Sequence, residues 1–470
     1  MRRSNVLFQC LATFIILQMF AALPATAQTQ LSVDVQQKID KLAADVLAKT
    51  GTPSVSVAVV KDGQIAYVKA YGDARLEPRT SAKPEMRYSL GSVSKSFTAA
   101  ALLLLQEQGK LSMDDKIARF IPDLTRANEV TIRQLLSMTS GYQEFWPVDY
   151  VLPMMSQPVT PRKILDQWGR KPLDFDPGTK WAISDTNFVI AGVIVEKVSG
   201  MTLQRFVKEK IFSPLGMESV VDVDAGALGE TDAAGYMCYG LGPLRLAPKE
   251  AKGWLFGGEE FAMTAQDLAK WDISIIDQKL MKPSSYHDLE ADVLLKSGLG
   301  TRNALGIAVT WQLGRRALYG IGDVSGFSAA NTIFPDDRVA VAVLANRDAG
   351  APVDIIRGIA PLLLAKAEDP AAPQRLEVAR KIFDGLQQGA IDRSLCTDNL
   401  NSYFNEQALK DFAAGLAPLG TPKEFNQVDQ SLSNGMTSRT YRIKFAQKTL
   451  TAHTSELPGG KLEQYTVEAE

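Results

Sequence analysis

The chain has 470 residues, too many for one typical domain, with 46% hydrophobic and 22% charged residues. That composition is ordinary for a globular protein able to bury a large core. Its 51 Lys+Arg nearly cancel its 53 Asp+Glu. The basic stripe of a nucleic-acid binder is absent, and no nucleic-acid partner is expected.

Arg2 and Arg3 precede an apolar run from Val6 to Leu23, and Ala25-Thr26-Ala27 follows with the small-x-small pattern of a signal-peptidase site. A membrane anchor is the other reading, but the apolar core is short and no basic stop-transfer flank follows it. The expectation is a signal peptide over 1–27 and a periplasmic or secreted chain without a membrane span. Cleavage after Ala27 removes two arginines and no acid, leaving 49 basic against 53 acidic residues, a net charge of −4. Cys10 lies inside the apolar run rather than at its end, so a lipoprotein anchor is not expected. Cys238 and Cys396 fall in different expected domains, which favours free thiols over a disulfide.

Residues 31–49 have helical spacing, with Ile39, Leu42, Val46 and Leu47 on one face. Val55 to Val60, a Lys61-Asp62-Gly63 turn and Ile65 to Val68 read as a β-hairpin. From 92 to about 290 the signals are mostly helical. Strand patterns return at Leu305–Trp311, Ala317–Tyr319, Ala329–Phe334 and Val339–Leu344, followed by a helix over about 352–367. The order predicts an α/β (α+β) domain over 28–367, an antiparallel sheet flanked by its terminal helices beside a helical subdomain. The Pro-rich stretch from Glu368 marks a linker over 368–375. Beyond it, over 376–470, helices and alternating strands near 424–432, 438–446, 448–455 and 461–468 predict a small α+β domain.

Gly91-Ser92-Val93-Ser94-Lys95-Ser96 opens an apolar helical stretch. A Ser and a Lys three apart at a helix start share one face. A serine hydroxyl needs a base to become a nucleophile, and a buried lysine can be one because desolvation lowers its pKa. Ser-x-x-Lys alone is a weak signal, and the same residues suit a serine cap beside a solvated lysine.

Context adds to it. Gly91 to Thr98 resembles the first motif of the class C β-lactamase-related family, G-S-x-[ST]-K-x-[FL]-T. Thr131 to Gly141 is similar to its "TIRQLLTHTSG" segment, and Pro177-Gly178-Thr179 to the opening of its second-motif loop. Ile211 to Met217 is similar to "IFxPLGM", and Gly322 to Ser328 to the pocket-lining strand. The resemblance covers about 31–367. It implies the β-lactamase/penicillin-binding-protein-like fold and a serine hydrolase that acts on amide or ester bonds through an acyl-enzyme on Ser92. Lys95 is then the proton partner, with a small-molecule or peptide substrate and no metal or organic cofactor.

The departures matter as much. Where the family has Tyr-x-Asn, this chain has Ile183-Ser184-Asp185. Isoleucine cannot move a proton, and a carboxylate at Asp185 beside Lys95 would stabilise the ammonium form. Where the family has His-x-Gly or Lys-x-Gly, the chain has Gly320-Ile321-Gly322. Gly322 lets backbone approach a substrate, and the N–H groups of Ser92 and Asp323 are candidates for an oxyanion hole. Asp185, Gly322 and Tyr142 are the expected substrate-binding residues. Tyr88 and Tyr142 are candidate replacement proton carriers, and Arg315 and Arg316 candidate sources of positive charge. Glu259 and Glu260 read as exposed. His287 and His453, the two histidines, lie outside these motifs, which leaves a Ser-His-Asp triad poorly supported. Three readings stay open: an active serine hydrolase, an impaired enzyme that binds peptide or acylates once, and a binding or assembly protein working through its C-terminal domain.

Overall fold

The computed structural model describes residues 30–469 apart from 149, 227, 349, 366–370 and 434–435. The expected signal peptide lies outside these residues. Helix α1 (Val33–Thr50) starts where the Ser32 hydroxyl accepts the Val35 N–H, and it ends at Gly51 with φ 67°. Its Ile39, Ala43 and Val46, spaced by three and four, are its buried face. Strands β1 (Ser54–Lys61), β2 (Gln64–Leu76) and β3 (Arg79–Ser81) follow. After the helical block come β4 (Ala308–Gln312), β5 (Arg315–Val324), β6 (Phe327–Phe334) and β7 (Val339–Ala345). These seven strands form one sheet in the order β3-β2-β1-β7-β6-β5-β4, with antiparallel neighbours throughout.

β1 and β7 are buried along almost their whole length because both faces of the sheet are covered. Helix α1 and helix α5 (Ala351–Leu363) pack on one face around Val57, Val343 and Ile355. On the other face lie helix α2 (Lys95–Glu107), helix α3 (Thr186–Ser199) and helix α4 (Ala265–Asp277). Phe97 of α2 has ring contacts at 5.1 Å to both Phe212 and Trp271, and at 5.9 Å to Phe261. Each such contact contributes about 0.5–1.5 kcal/mol beyond burial. Together they fix the start of α2, which carries the site.

Beyond the first core, helix α6 (Ala372–Gln388) and helix α7 (Glu406–Leu416) pack on strands β8 (Glu424–Ser433), β9 (Met436–Lys444), β10 (Thr449–Glu456) and β11 (Leu462–Ala469), an antiparallel sheet with its own core around Phe383, Tyr441 and Tyr465. The expected linker over 368–375 runs into α6. Pro373, read from sequence as a break, instead sits in the first turn of the helix, where its missing N–H costs nothing. Cys238 and Cys396 are both free thiols. Among the described residues no single helix is long and apolar enough to cross a membrane.

Candidate active site

Ser92 lies in a 3₁₀ turn, Gly91–Ser94, that runs straight into α2, whose first residue is Lys95. Gly91 needs its positive φ of 50°, and a Cβ there would stand 2.8 Å from the Asp323 nitrogen. A Cβ on Gly322 would fall 2.1 Å from the Leu90 carbonyl oxygen and 2.5 Å from the Ser92 nitrogen. The two glycines thus let the nucleophile turn and β5 touch backbone to backbone, which brings Ser92 and Asp323 side by side. β5 pairs with β4 only through Tyr319, so Gly320 to Val324 border the cleft rather than a strand on that side.

The cleft holds about 920 Å³ and is lined by Ser92, Lys95, Ile183, Asp185, Glu259 and the segment Gly320–Gly326. Trp146, Tyr150, Trp181, Tyr239 and Tyr319 add aromatic walls. Ile183, 62% exposed, stands at its rim, so the position that the resemblance gives to a proton carrier is apolar and solvent-facing.

Lys95 is only 6% exposed, which rules out the solvated first-turn lysine, and no side-chain cap hydrogen bond forms at Ser92's turn. The Lys95 ammonium donates to Ser92 Oγ at 2.5 Å, and Ser92 Oγ donates to Glu259 Oε1 at 2.8 Å. Lys95 Nζ is also 2.7 Å from Asp185 Oδ1 and 3.5 Å from Glu259 Oε1. The Asp185 contact is an ion pair off the hydrogen-bonding direction, since Oδ1 has no directed donor. Behind it, Glu144 Oε2 accepts the Asp185 N–H at 2.5 Å and Glu144 Oε1 the Trp146 N–H at 2.6 Å.

Two carboxylates therefore contact one lysine, and the charge of a third, Glu144, acts on it from behind Asp185. Burial alone would pull the Lys95 ammonium down, but the charges of Asp185 and Glu259 outweigh it and hold Lys95 above the ordinary lysine value. Burial, reinforced by the Asp185 charge, pushes Glu259 up to about 8 and Glu144 up to about 7. With more acids than bases, the cluster keeps at least one shared proton near neutrality.

Several expectations need correction. Tyr142, expected at the substrate, is buried away from the cleft, and its hydroxyl donates to the Thr125 carbonyl at 2.8 Å. Tyr88 is fully buried and bonded to Ser54 Oγ at 2.9 Å, too enclosed to carry protons for the site. Glu259 and Glu260 are buried, not exposed: the Gly257–Phe261 loop folds inward against α2, and Glu260 accepts from Gln204 at 2.9 Å on the far side. Arg315 is paired with Asp337, and Arg316 with Glu290 at 2.9 Å, so neither supplies charge to the cleft. Glu144 escaped the sequence reading altogether. Its one signal was an acid set directly before Phe145-Trp146. Among the described residues no group of three or more His, Cys, Asp or Glu could hold a metal ion.

The beta-lactamase family model matches residues 39–366. Protein flp of Staphylococcus aureus (strain N315) is 27% identical over 330 residues, 68% of this chain and 64% of that protein. The chain thus spans less than two thirds of that relative's length. A protein of Escherichia coli (strain K12), described provisionally as a D-alanyl-D-alanine carboxypeptidase, is 34% identical over 194 residues, 36% of this chain and 43% of that one. Among solved structures, the octameric penicillin-binding protein homologue of Pyrococcus abyssi superposes with a TM-score of 0.61 at 20% identity, over 92% of this chain and 99% of that one. The D-amino acid amidase of Ochrobactrum anthropi SV3 gives 0.60 at 21%, over 70% and 99%. At these identities the two likenesses establish the fold.

Proposed function

The chain belongs to the beta-lactamase family, and from that premise we propose that it hydrolyses amide or ester bonds of a small molecule or peptide through an acyl-enzyme on Ser92. The observation that carries this reading is the Ser92 hydroxyl, held between Lys95 and Glu259 at 2.5 and 2.8 Å on the floor of an open cleft. Ser92 attacks the carbonyl carbon, and the developing oxyanion lies against the N–H groups of Ser92 and Asp323. The Lys95 ammonium steadies the serine oxygen as its proton leaves. Asp185 fixes Lys95, and Gly322 lets β5 close on the nucleophile turn rather than making room for substrate as expected. The amidase and carboxypeptidase descriptions of the relatives support the amide part of this reading. The leader pattern of Arg2, Arg3 and Ala25-Thr26-Ala27 supports export to the periplasm or medium.

The test is turnover of p-nitrophenyl acetate and of D-alanine p-nitroanilide by the full chain and by Ser92→Ala. The reading requires that the parent hydrolyse at least one and the variant neither. A second reading, a peptide-binding protein that has lost turnover, draws on Ile183 and Gly320 standing where the resemblance has a tyrosine and a histidine or lysine. It requires stoichiometric acylation without turnover in the same assay.

A further inference from the structure

We propose that Glu259 is the catalytic base that takes the proton of Ser92, while Lys95 stays an ammonium ion throughout; this rests on the reading of Ser92 as nucleophile. The Ser-x-x-Lys pattern alone gives the base role to Lys95. The geometry assigns it elsewhere. A serine hydroxyl has one proton to give, and at this site it points to Glu259 Oε1 at 2.8 Å. Lys95 donates to Ser92 Oγ itself, and an ammonium has no lone pair with which to accept. Its ion pair with Asp185 at 2.7 Å keeps it in that form.

Glu259 is placed for the task by the nucleophile helix itself. Thr98 Oγ1 of α2 donates to the Gly257 carbonyl at 2.6 Å, and the Phe261 N–H donates to Ser94 Oγ at 3.3 Å. The Leu90 N–H, just before the turn, donates to the Phe261 carbonyl at 3.0 Å. The loop bearing Glu259 is thus tied to the chain on both sides of Ser92. Besides the hydrogen bond from Ser92, the charges of Asp185, Lys95 and Glu250 act on the carboxyl. Burial and Asp185 push it up to about 8, so its ionised, proton-accepting form fills in as pH rises towards and past that value.

In acylation the Ser92 proton passes to Glu259 as the Oγ–carbon bond forms, and Glu259 then protonates the leaving nitrogen or oxygen as its bond to carbon breaks. In deacylation Glu259 takes a proton from the attacking water and returns it to Ser92 Oγ as the ester bond breaks. No other proton acceptor is needed, and Ile183 has no role in either half.

The experiment is the second-order rate of labelling of the full chain by a fluorophosphonate from pH 6 to 10, for the parent, Glu259→Gln and Glu259→Asp. The parent rate should rise through a midpoint near pH 8. Glu259→Gln should label about 10²–10⁴-fold more slowly and lose that rise, and Glu259→Asp should recover part of both. Labelling of Glu259→Gln at the parent rate with the parent profile overturns the proposal and leaves Ser92 standing. A parent that never labels overturns the reading of Ser92 beneath it. Where Glu259→Gln fails to fold, the parent profile decides: a rise that levels off past about pH 8 supports Glu259, and a rate that still climbs at pH 10 without levelling gives the role back to Lys95.

Discussion

Lys95 Nζ stands 2.7 Å from Asp185 Oδ1, where the resemblance would place an asparagine, and this one ion pair sets the charge of the site. Asp185 raises Glu259 through its charge and raises Lys95 through the pair. Asp185→Asn should therefore lower the midpoint of the labelling profile below that of the parent, because Glu259 then faces Lys95 without a competing anion. Losing one partner of a buried pair costs about 3–5 kcal/mol, and the loss here should fall short of that because Glu259 remains at 3.5 Å. Labelling profiles and thermal melts of the two proteins check both statements.

The sign of the pH dependence of stability follows from the same burial. Glu259 binds a proton up to about pH 8 in the folded chain but only to about the ordinary glutamate value when unfolded. Across that window the folded state holds the extra proton, so its contribution to stability falls as pH rises. Glu259→Gln, which cannot ionise, should melt above the parent at pH 8–9, and the gap should shrink towards pH 4–5. Melting curves at the two ends of the range measure it.

Gly322→Ala should damage the site without touching its chemistry. The added methyl meets the Leu90 carbonyl at 2.1 Å and the Ser92 nitrogen at 2.5 Å, both backbone atoms that cannot swing aside. Overpacking of this kind costs about 1–3 kcal/mol. A lowered melting temperature and slower labelling are expected, with the pH midpoint unchanged because Glu259 is not disturbed.

The cleft should prefer substrates without a free carboxylate. Its acidic lining residues include Asp185, Glu259 and Asp348, and Lys95 is its one lining cation among the described residues. Arg315 and Arg316 are held elsewhere by Asp337 and Glu290. A carboxylate that loses its hydration in this cleft without a cationic partner costs about 1–3 kcal/mol, which should favour a D-Ala-D-Ala methyl ester over the free acid by about ten- to a hundredfold in kcat/KM. Measuring kcat/KM for both compounds tests this, and equal values would contradict it.

Local pattern made most of the fold legible. The 55–60 and 339–344 runs show as strands because both are buried on two faces, and their observed ranges, Ser54–Lys61 and Val339–Ala345, extend them by one or two residues at most. The alternation in the C-terminal region located all four strands of its sheet. Ser92 and Lys95 were readable because their contact is local, three residues apart along one turn. Glu259 was not, because its bond to Ser92 spans 167 residues and depends on an inward loop that composition does not encode. Glu144 meets Asp185 across 41 residues for the same reason. Tyr142 misled because neighbourhood in sequence to Ser140-Gly141 says nothing about which way a ring turns.

The central claim, that Ser92 is the nucleophile, is tested most directly by peptide-mapping mass spectrometry after treatment with a fluorophosphonate. One adduct per chain on the peptide containing Ser92 is predicted, with none in a Ser92→Ala variant that melts as a folded protein. An adduct on any other residue, or labelling that persists unchanged in Ser92→Ala, would contradict the account.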